Sequence, residues 1–366
     1  MKKNIALALV MMFFPVAVQA GDWNFENSLS AKTLYGYTDT DAKADSHHHL
    51  PSRLNAAFMA QYRFNDEYEA GAYVDLSYGI DQYLKDYNHG SWGEEVYGVF
   101  DSPYGKLVLG QSRNAAYQLG VSAPNVDMLN VNQSDVVKFI SSPNLRRNRK
   151  GTAYRVLNST DINTDGTALK ASYISPEFGE GTMFGISYIP ESYSRDGLIS
   201  NHASYKNKAG YVAALYQSAE ITGISLSGSL GAAYFDDADR EVSLGLSAYR
   251  KGWTLGAGVR RTWVNHYDDA LNKAYSGSID GYDAWRDAFA YNAGIGYEFG
   301  PFKTALTYFY SKADGKKFED KIIQFSNSYQ FNKMFTIYAA AAHGDFTGKT
   351  ESNKGYALIT GLGVKF

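Results

Sequence analysis

The chain ends on the stretch GYALITGLGVKF, residues 355–366, in which two kinds of side chain alternate. One parity is mainly large and apolar, and it consists of Tyr356, Leu358, Thr360, Leu362, Val364 and Phe366. A period of two indicates a β-strand whose faces meet different surroundings. Because a chain terminus in water usually frays, a last strand that ends on an aromatic residue predicts a terminus held by neighbouring structure.

The other end of the chain has the features of a secretory leader. Lys2 and Lys3 precede an apolar run over residues 5–18, and small residues stand just before Gly21. This pattern predicts a signal peptide over 1–20 that is cleaved before Gly21. The apolar run is shorter than the about 20 residues that a spanning helix needs, so the mature protein is expected to comprise 21–366.

Composition excludes several classes of protein. The 366 residues include no Cys, which rules out a disulfide scaffold and Cys-ligated zinc. Loss of the two leader lysines changes the net charge from -3 to -5, so we expect no nucleic-acid partner. No linker or low-complexity stretch divides 21–366, and we interpret it as one domain.

The alternation seen at the end of the chain recurs along its length. In 54–64 and again in 289–299, one parity is apolar or aromatic and the other is polar or small. A soluble β-sandwich also alternates, whereas an outer-membrane β-barrel adds a strict alternation of short turns and long loops. No segment of the mature chain is apolar for long enough to be a membrane-spanning helix.

The connections follow the rhythm of a barrel. Seven short joins are predicted at 65–66, 102–105, 178–182, 222–223, 250–252, 300–301 and 332–333. Eight longer polar stretches are predicted near 38–52, 80–91, 113–167, 191–207, 236–239, 265–287, 313–319 and 344–354. Together they predict sixteen transmembrane antiparallel strands. The stretch GTAYRVL from Gly151 is assigned to the third loop, because a seventeenth strand would place the two termini on opposite sides of the membrane.

Closure of such a sheet accounts for the final strand. In lipid every backbone N–H and C=O must be paired within the protein, so the sheet can have no free edge. The last strand is therefore expected to pair with the first, and Phe366 to lie in an aromatic girdle at the membrane interface.

The chain at this point resembles the trimeric general porins of Gram-negative outer membranes. Three stretches carry the resemblance: ALITGLGVKF at the end of the chain, VYGVFDSPYGKLVLGQ over 96–111, and SYISPEFGEGTMFGISY over 172–188. The first resembles the signal read by the barrel-assembly machinery, with Tyr356, Leu358, Leu362, Val364 and Phe366 as its residues.

The resemblance implies a water-filled sixteen-stranded barrel in the outer membrane, surrounded by lipid and lipopolysaccharide and assembled as a homotrimer. It also implies that the third loop, 113–167, folds into the lumen and narrows the pore. The expected function is passive diffusion of ions and small hydrophilic solutes, without a cofactor. The alternative is a substrate-selective channel on the same barrel, for a sugar or an anionic nutrient.

Charged residues of the third loop are the first candidates for the constriction. By count this loop carries a net charge of about +3, and charged groups at a constriction select ions. The candidates are Arg113, Asp127, Asp135, Lys138, Arg146, Arg147, Arg149 and Lys150. Wall residues Lys32, Arg53 and Glu95 stand on the polar parity and could complete the constriction. Alternatively, RRNRK over 146–150 is a surface patch that faces solvent or lipopolysaccharide.

Metal and catalytic signals are weak. Asp161, Asn163 and Asp165 resemble the opening of a calcium loop, but the twelfth position is Ser172 rather than an acid, so a polar turn is the preferred interpretation. The stretch HHH at 47–49 is read as part of a solvated loop. No motif of a serine hydrolase, a zinc protease or a phosphate-binding loop occurs. We therefore expect no enzyme, while a receptor role for the outer loops stays open.

Overall fold

A computed structural model describes residues 22–41, 47–80, 91–126, 135–148, 151–154, 156–190, 209–235, 239–264, 287–314, 318–348 and 351–366. The expected leader and the candidates Asp127, Arg149 and Lys150 lie outside these residues. Asp135, Arg146 and Arg147 are described by their backbone alone.

Sixteen strands form the wall of the molecule. In chain order they are β1 (Trp23–Thr40), β2 (Ser52–Arg63), β3 (Glu69–Ile80), β4 (Ser91–Ser102), β5 (Gly105–Gln111), β6 (Leu169–Ile174), β7 (Thr182–Ile189), β8 (Gly210–Ile221), β9 (Ile224–Phe235), β10 (Asp239–Arg250), β11 (Trp253–Val264), β12 (Ala288–Phe299), β13 (Phe302–Ala313), β14 (Phe318–Gln330), β15 (Phe335–Thr347) and β16 (Ser352–Lys365). Each pairs with its neighbours in antiparallel register, and a two-residue segment, His48–His49, also pairs with β1.

The sheet closes on itself as predicted. The register of β1 against β16 runs from Ser30 opposite Lys365 to Thr40 opposite Gly355. The last residue continues this pairing, because Phe366 N donates to Leu29 O over 2.8 Å and Leu29 N donates to Phe366 O over 3.3 Å. The final strand thus leaves no free sheet edge beside β1, as the hydrocarbon of a bilayer demands.

All seven predicted short joins connect neighbouring strands at one end of the barrel. The join between β8 and β9 is a two-residue turn in which Thr222 has φ 51° and Gly223 has φ 74°. Two consecutive positive φ angles match the twist of the flanking strands. The long connections lie at the other end, so the turn end and the loop end are distinct.

Two loops are shorter than predicted. Strand β1 reaches Thr40, and β15 and β16 reach Thr347 and Ser352, so the predicted loops at 38–52 and 344–354 are shorter than expected. Side chains on these extensions contact the third loop: Phe346 is fully buried in a cluster with Ile140, and Asn353 Nδ2 donates to Ser141 O over 2.8 Å. These contacts extend the pairing beyond the point where the polarity of the sequence suggested a loop.

The segment His47–His49 also differs from the expected solvated loop. His49 lies inside the barrel, where its Nε2 is 3.0 Å from Thr38 Oγ1 and its ring meets Phe139 edge-on. His48 lies on the outer face, where its Nδ1 is 2.7 Å from Tyr35 Oη. Consecutive residues of a strand point to opposite faces, so His49 faces the inside of the barrel and His48 the outside.

The two faces of the wall are chemically different. Large apolar side chains such as Leu230, Leu244 and Leu358 are exposed on the outer face. Aromatic pairs mark the turn end of this face, with ring centroids 4.4 Å apart in Trp253–Tyr297 and 4.5 Å apart in Phe302–Tyr329. An exposed apolar belt with aromatic rims is the surface that a bilayer covers. In the described part of the chain, no helix is long and apolar enough to cross a membrane.

Candidate pore and constriction

The segment between β5 and β6, residues 112–168, first runs inside the barrel along the inner face of the wall. A single helical turn, Ala115–Gln118, starts it, and the Asn114 side chain caps this turn by accepting a hydrogen bond from Tyr117 N over 2.9 Å. Val121 N then donates to Ser229 Oγ over 2.8 Å, and Ala123 N donates to Asn292 Oδ1 over 3.2 Å. The first limb of the segment, residues 114–126, therefore runs along the inner faces of β9 to β12.

Glycine in the wall lets this limb approach closely. A Cβ atom added to Gly245 in β10 would overlap Val121 O, and one added to Gly256 in β11 would lie 2.5 Å from Ser122 O. Since both glycines have inward parity, only a bare backbone leaves room for the first limb here.

The second limb, residues 135–144, packs against the adjoining part of the wall, on β12 to β16 and β1. It contains the short 3₁₀ turn Asp135–Lys138, which is followed by the fully buried Phe139 and Ile140. These side chains join an apolar cluster inside the barrel with Leu34 and Tyr338. Hydrogen bonds reinforce it, as Asn144 Nδ2 donates to Asp320 Oδ1 over 2.6 Å.

A hairpin follows within the same segment. Leu145–Asn148 pairs with Gly151–Tyr154 in a separate two-stranded sheet. The stretch from Gly151 therefore adds no strand to the barrel, as predicted.

The third limb of the segment, residues 156–168, is held by a buried ion pair on β10 and β11. Arg260 Nη2 lies 2.7 Å from Glu241 Oε2, and both side chains are almost fully buried. The same guanidinium donates to Asp161 O over 2.6 Å, to Asn163 Oδ1 over 2.7 Å and to Thr164 Oγ1 over 2.8 Å. Arg260 therefore ties the third limb to the wall while Glu241 balances its charge.

A second buried ion pair closes the base of the segment. Lys170 Nζ, on β6, lies 3.0 Å from Asp165 Oδ2, and both side chains are fully buried. Asn114 Nδ2 donates to Asp165 Oδ1 over 2.6 Å, which joins the start of the segment to its end. Lys170 Nζ also donates to Ser112 O.

The two ion pairs also bind side-chain oxygens of Asn163 and Asp165, which resembled part of a calcium loop. Asn163 Oδ1 accepts from Arg260, and the Asp165 carboxylate faces Lys170. Asp161 Oδ2 accepts from Ser159 Oγ over 3.1 Å, and burial raises the pKa of the Asp161 carboxyl despite that hydrogen bond. Within the described ranges no group of three His, Asp or Glu side chains could hold a metal ion. The side-chain oxygens of the turn 161–165 are therefore bonded to other side chains of the protein.

Burial differs sharply between two sides of the lumen. Inward residues of the wall that faces the loop segment are buried, such as Arg260, Asn292 and Thr307. Most inward residues of β2 to β4 are exposed or half-buried, as Arg53 and Tyr73 are, and Ser77, which accepts from Arg53, is the buried exception among those described. We call the uncovered part of the inner face of β1 to β4, from Lys32 through Arg53 and Asp75 to Glu95, the open wall.

The predicted wall candidates all lie on the open wall. Lys32 is directly opposite Arg53 in the register of β1 and β2, and Arg53 Nη2 donates to Ser77 Oγ over 3.0 Å. Glu95 Oε1 lies 3.3 Å from Arg113 Nε at the start of the loop segment. Parity thus places Lys32, Arg53 and Glu95 on the same inner face, where Glu95 meets Arg113.

The remaining candidates are spread more widely. Lys138 is half-buried in the 3₁₀ turn, and Arg146 and Arg147 belong to the hairpin of the loop segment. At the end of the chain, Tyr356, Leu358 and Leu362 are exposed on the outer face, Val364 is half-buried, and Phe366 is 59% exposed at the turn end.

Sequence reasoning missed the anchors of the loop segment. Lys170, Glu241, Arg260 and Asp320 are charged residues on the inward parity of predicted strands. That parity was the available signal, because a charge that faces the lumen needs a partner when a loop covers it.

Comparison with known proteins agrees with this architecture. The family model described as Gram-negative porin matches residues 6–349. Comparison with curated proteins gives no match. Among solved structures, Salmonella typhi OmpF in complex with daunomycin is similar with a TM-score of 0.62 and 13% identity, covering 94% of this chain and 98% of that chain.

Two further structures have the same fold. An anion-selective porin from Comamonas acidovorans has a TM-score of 0.61 and 14% identity, covering 94% of this chain and 100% of that one. Vibrio cholerae OmpT in its trimer form has a TM-score of 0.58 and 11% identity, with the same coverage of 94% and 100%.

Proposed function

Since the chain belongs to the Gram-negative porin family, it is an outer-membrane β-barrel pore for diffusion of small hydrophilic solutes, and we propose that its constriction mildly favours anions. The 113–167 loop is the proposed constriction, within a mature domain of 21–366 that follows a cleaved 1–20 signal peptide. The proposal includes no catalytic activity and no cofactor.

The distribution of buried charge carries the preference for anions. Asp165 and Glu241 are buried against Lys170 and Arg260, so their charges are neutralised away from the water path. On the open wall, Lys32 and Arg53 stand side by side, and the nearby Glu95 is paired with Arg113. The open wall also holds Asp75, so these three basic groups outnumber its two carboxylates by one, and we place this small basic excess at the constriction.

The acidic net charge of the mature chain does not oppose this conclusion. Charges beyond the constriction are screened within a Debye length of about 8 Å at physiological salt, whereas a narrow lumen keeps ions close to a few fixed charges. The anion-selective Comamonas acidovorans porin shows that this fold supports such selectivity.

We further propose a homotrimer, surrounded by outer-membrane lipid and lipopolysaccharide and inserted by the barrel-assembly machinery. The trimer form of Vibrio cholerae OmpT and the exposed outer face of the barrel support this assembly. Unheated gel electrophoresis and native mass spectrometry test it: a band and a mass of three chains are expected, and a monomer alone would contradict it.

Reversal potential in a planar bilayer tests the proposed function. With a potassium chloride gradient, the wild-type channel should show a mild chloride preference. Replacing Arg146, Arg147 and Arg149 together by Gln should shift the potential towards potassium if those side chains line the constriction. A wild-type preference for potassium would contradict the anion proposal, and an unchanged potential in the triple variant would remove these arginines from it.

A further inference from the structure

The open wall carries two tyrosines side by side. Tyr73 on β3 is directly opposite Tyr97 on β4, and their ring centroids are 4.9 Å apart with an interplanar angle of 34°. Both rings have inward parity and are half-buried. Gly110 is the residue opposite Tyr97 on β5, so no side chain stands beside Tyr97 at that position of the wall.

Hydrogen-bonding groups of several kinds adjoin this tyrosine pair. Asp75 Oδ2 accepts from Tyr73 Oη over 3.1 Å and from Asn55 Nδ2 over 3.2 Å. Glu95 is directly opposite Asp75, and its carboxylate is paired with Arg113. Aromatic surface, carboxylates and an amide therefore occupy three adjacent rows of the wall, and the guanidinium of the loop segment adjoins them.

We propose that Tyr73, Tyr97, Asp75, Asn55, Glu95 and Arg113 form a weak binding site for a neutral saccharide. The proposal rests on the diffusion function and names a solute class for the same pore. One apolar face of a pyranose ring lies on the tyrosine pair, and its hydroxyls bond to the carboxylates, the amide and the guanidinium. A few fixed polar groups around an aromatic surface are the usual composition of a small-molecule site.

The charge of the surroundings selects a neutral ligand over an ion. Asp75 and Glu95 already accept hydrogen bonds from protein donors, and Lys32 and Arg53 lie on the neighbouring strands. These basic groups would repel an organic cation, and an inorganic anion has no apolar surface to pack on the two rings. Vicinal hydroxyls both donate and accept, which suits a mixed set of partners. Binding is weak, because a site in a channel must release its solute.

Glucose block of the ion current tests the site. Glucose added to wild-type channels in a planar bilayer should reduce the potassium chloride current in a saturable manner. Sorbitol, which has more hydroxyls than glucose but no ring, should reduce the current only through its effect on viscosity. In the double variant Tyr73→Leu/Tyr97→Leu, half-maximal block should need about tenfold more glucose, relative to that variant's own sugar-free current.

Two controls separate the aromatic site from general effects. Tyr97→Phe keeps the ring and should retain block, and Tyr188→Leu on the outer face should behave as wild type. Equal effects of glucose and sorbitol on the wild-type channel would overturn the proposal even if the double variant failed to fold. Block by tetramethylammonium but not by glucose would replace the saccharide by a cation. A channel that conducts without glucose block refutes the site alone, whereas absence of conductance refutes the pore.

Discussion

At the scale of single residues, the ion pair of Arg260 and Glu241 decides where the loop segment lies. Arg260→Met removes the bonds to the third limb and leaves Glu241 buried without its cation. We expect a loss of about 3–5 kcal/mol in the free energy of unfolding, because breaking a buried pair strands the other charge. Urea unfolding in detergent, followed by circular dichroism, measures it.

The adjacent residue provides the control for that change. Arg261 has the opposite parity and forms an exposed ion pair with Asp314, so Arg261→Gln should cost less than about 1 kcal/mol. A similar loss for both variants would show that the register of β11 is wrong.

Residue positions could be predicted only in part. Parity alone placed Lys32, Arg53 and Glu95 on the inner face, because an alternating strand has two sides. It could not show that Lys170 pairs with Asp165 or that Arg260 reaches Asn163, since those partners come from a loop whose path depends on tertiary packing. Local sequence contains no information about which limb covers which strand.

At the scale of the strand, the account predicts opposite tolerance of charge on the two faces. Leu244 in β10 is exposed on the outer face, and Ser247 in the same strand is half-buried on the inner face. Leu244→Arg should destabilise the barrel by about 2–4 kcal/mol in lipid. Ser247→Arg should fold with a smaller loss but change conductance. Equal losses in lipid vesicles would refute the assignment of faces.

The final strand provides a second prediction at this scale. Deleting Phe366, or replacing it with Asp, should reduce insertion into the outer membrane, because the residue closes β16 onto β1 and ends the strand that we propose is read for assembly. Secretion to the periplasm should be unaffected. Phe331→Asp, a similarly exposed aromatic at a turn, is the control and should insert better. Normal yield and rate for the Phe366 variants would refute the proposed role of the terminus.

At the scale of the whole molecule, the number and order of strands could be predicted because membrane burial imposes strict rules. Period-two alternation marked the strands, and the rhythm of turns and loops gave sixteen of them. The ends of β15 and β16 could not be predicted, because their side chains contact Ile140 and Ser141 of the loop segment. The same long-range packing defines the open wall, which no single stretch of sequence indicates.

The accessibility of the open wall can be measured directly, because the sequence contains no Cys. Asn55→Cys places a thiol on the open wall, and Thr307→Cys places one on the wall behind the loop segment, where Thr307 is 2% exposed. A cationic methanethiosulfonate reagent is added to single channels while the current is recorded. We predict rapid modification and a changed current for Asn55→Cys, and no modification of Thr307→Cys. Equally rapid modification of both thiols would contradict this prediction.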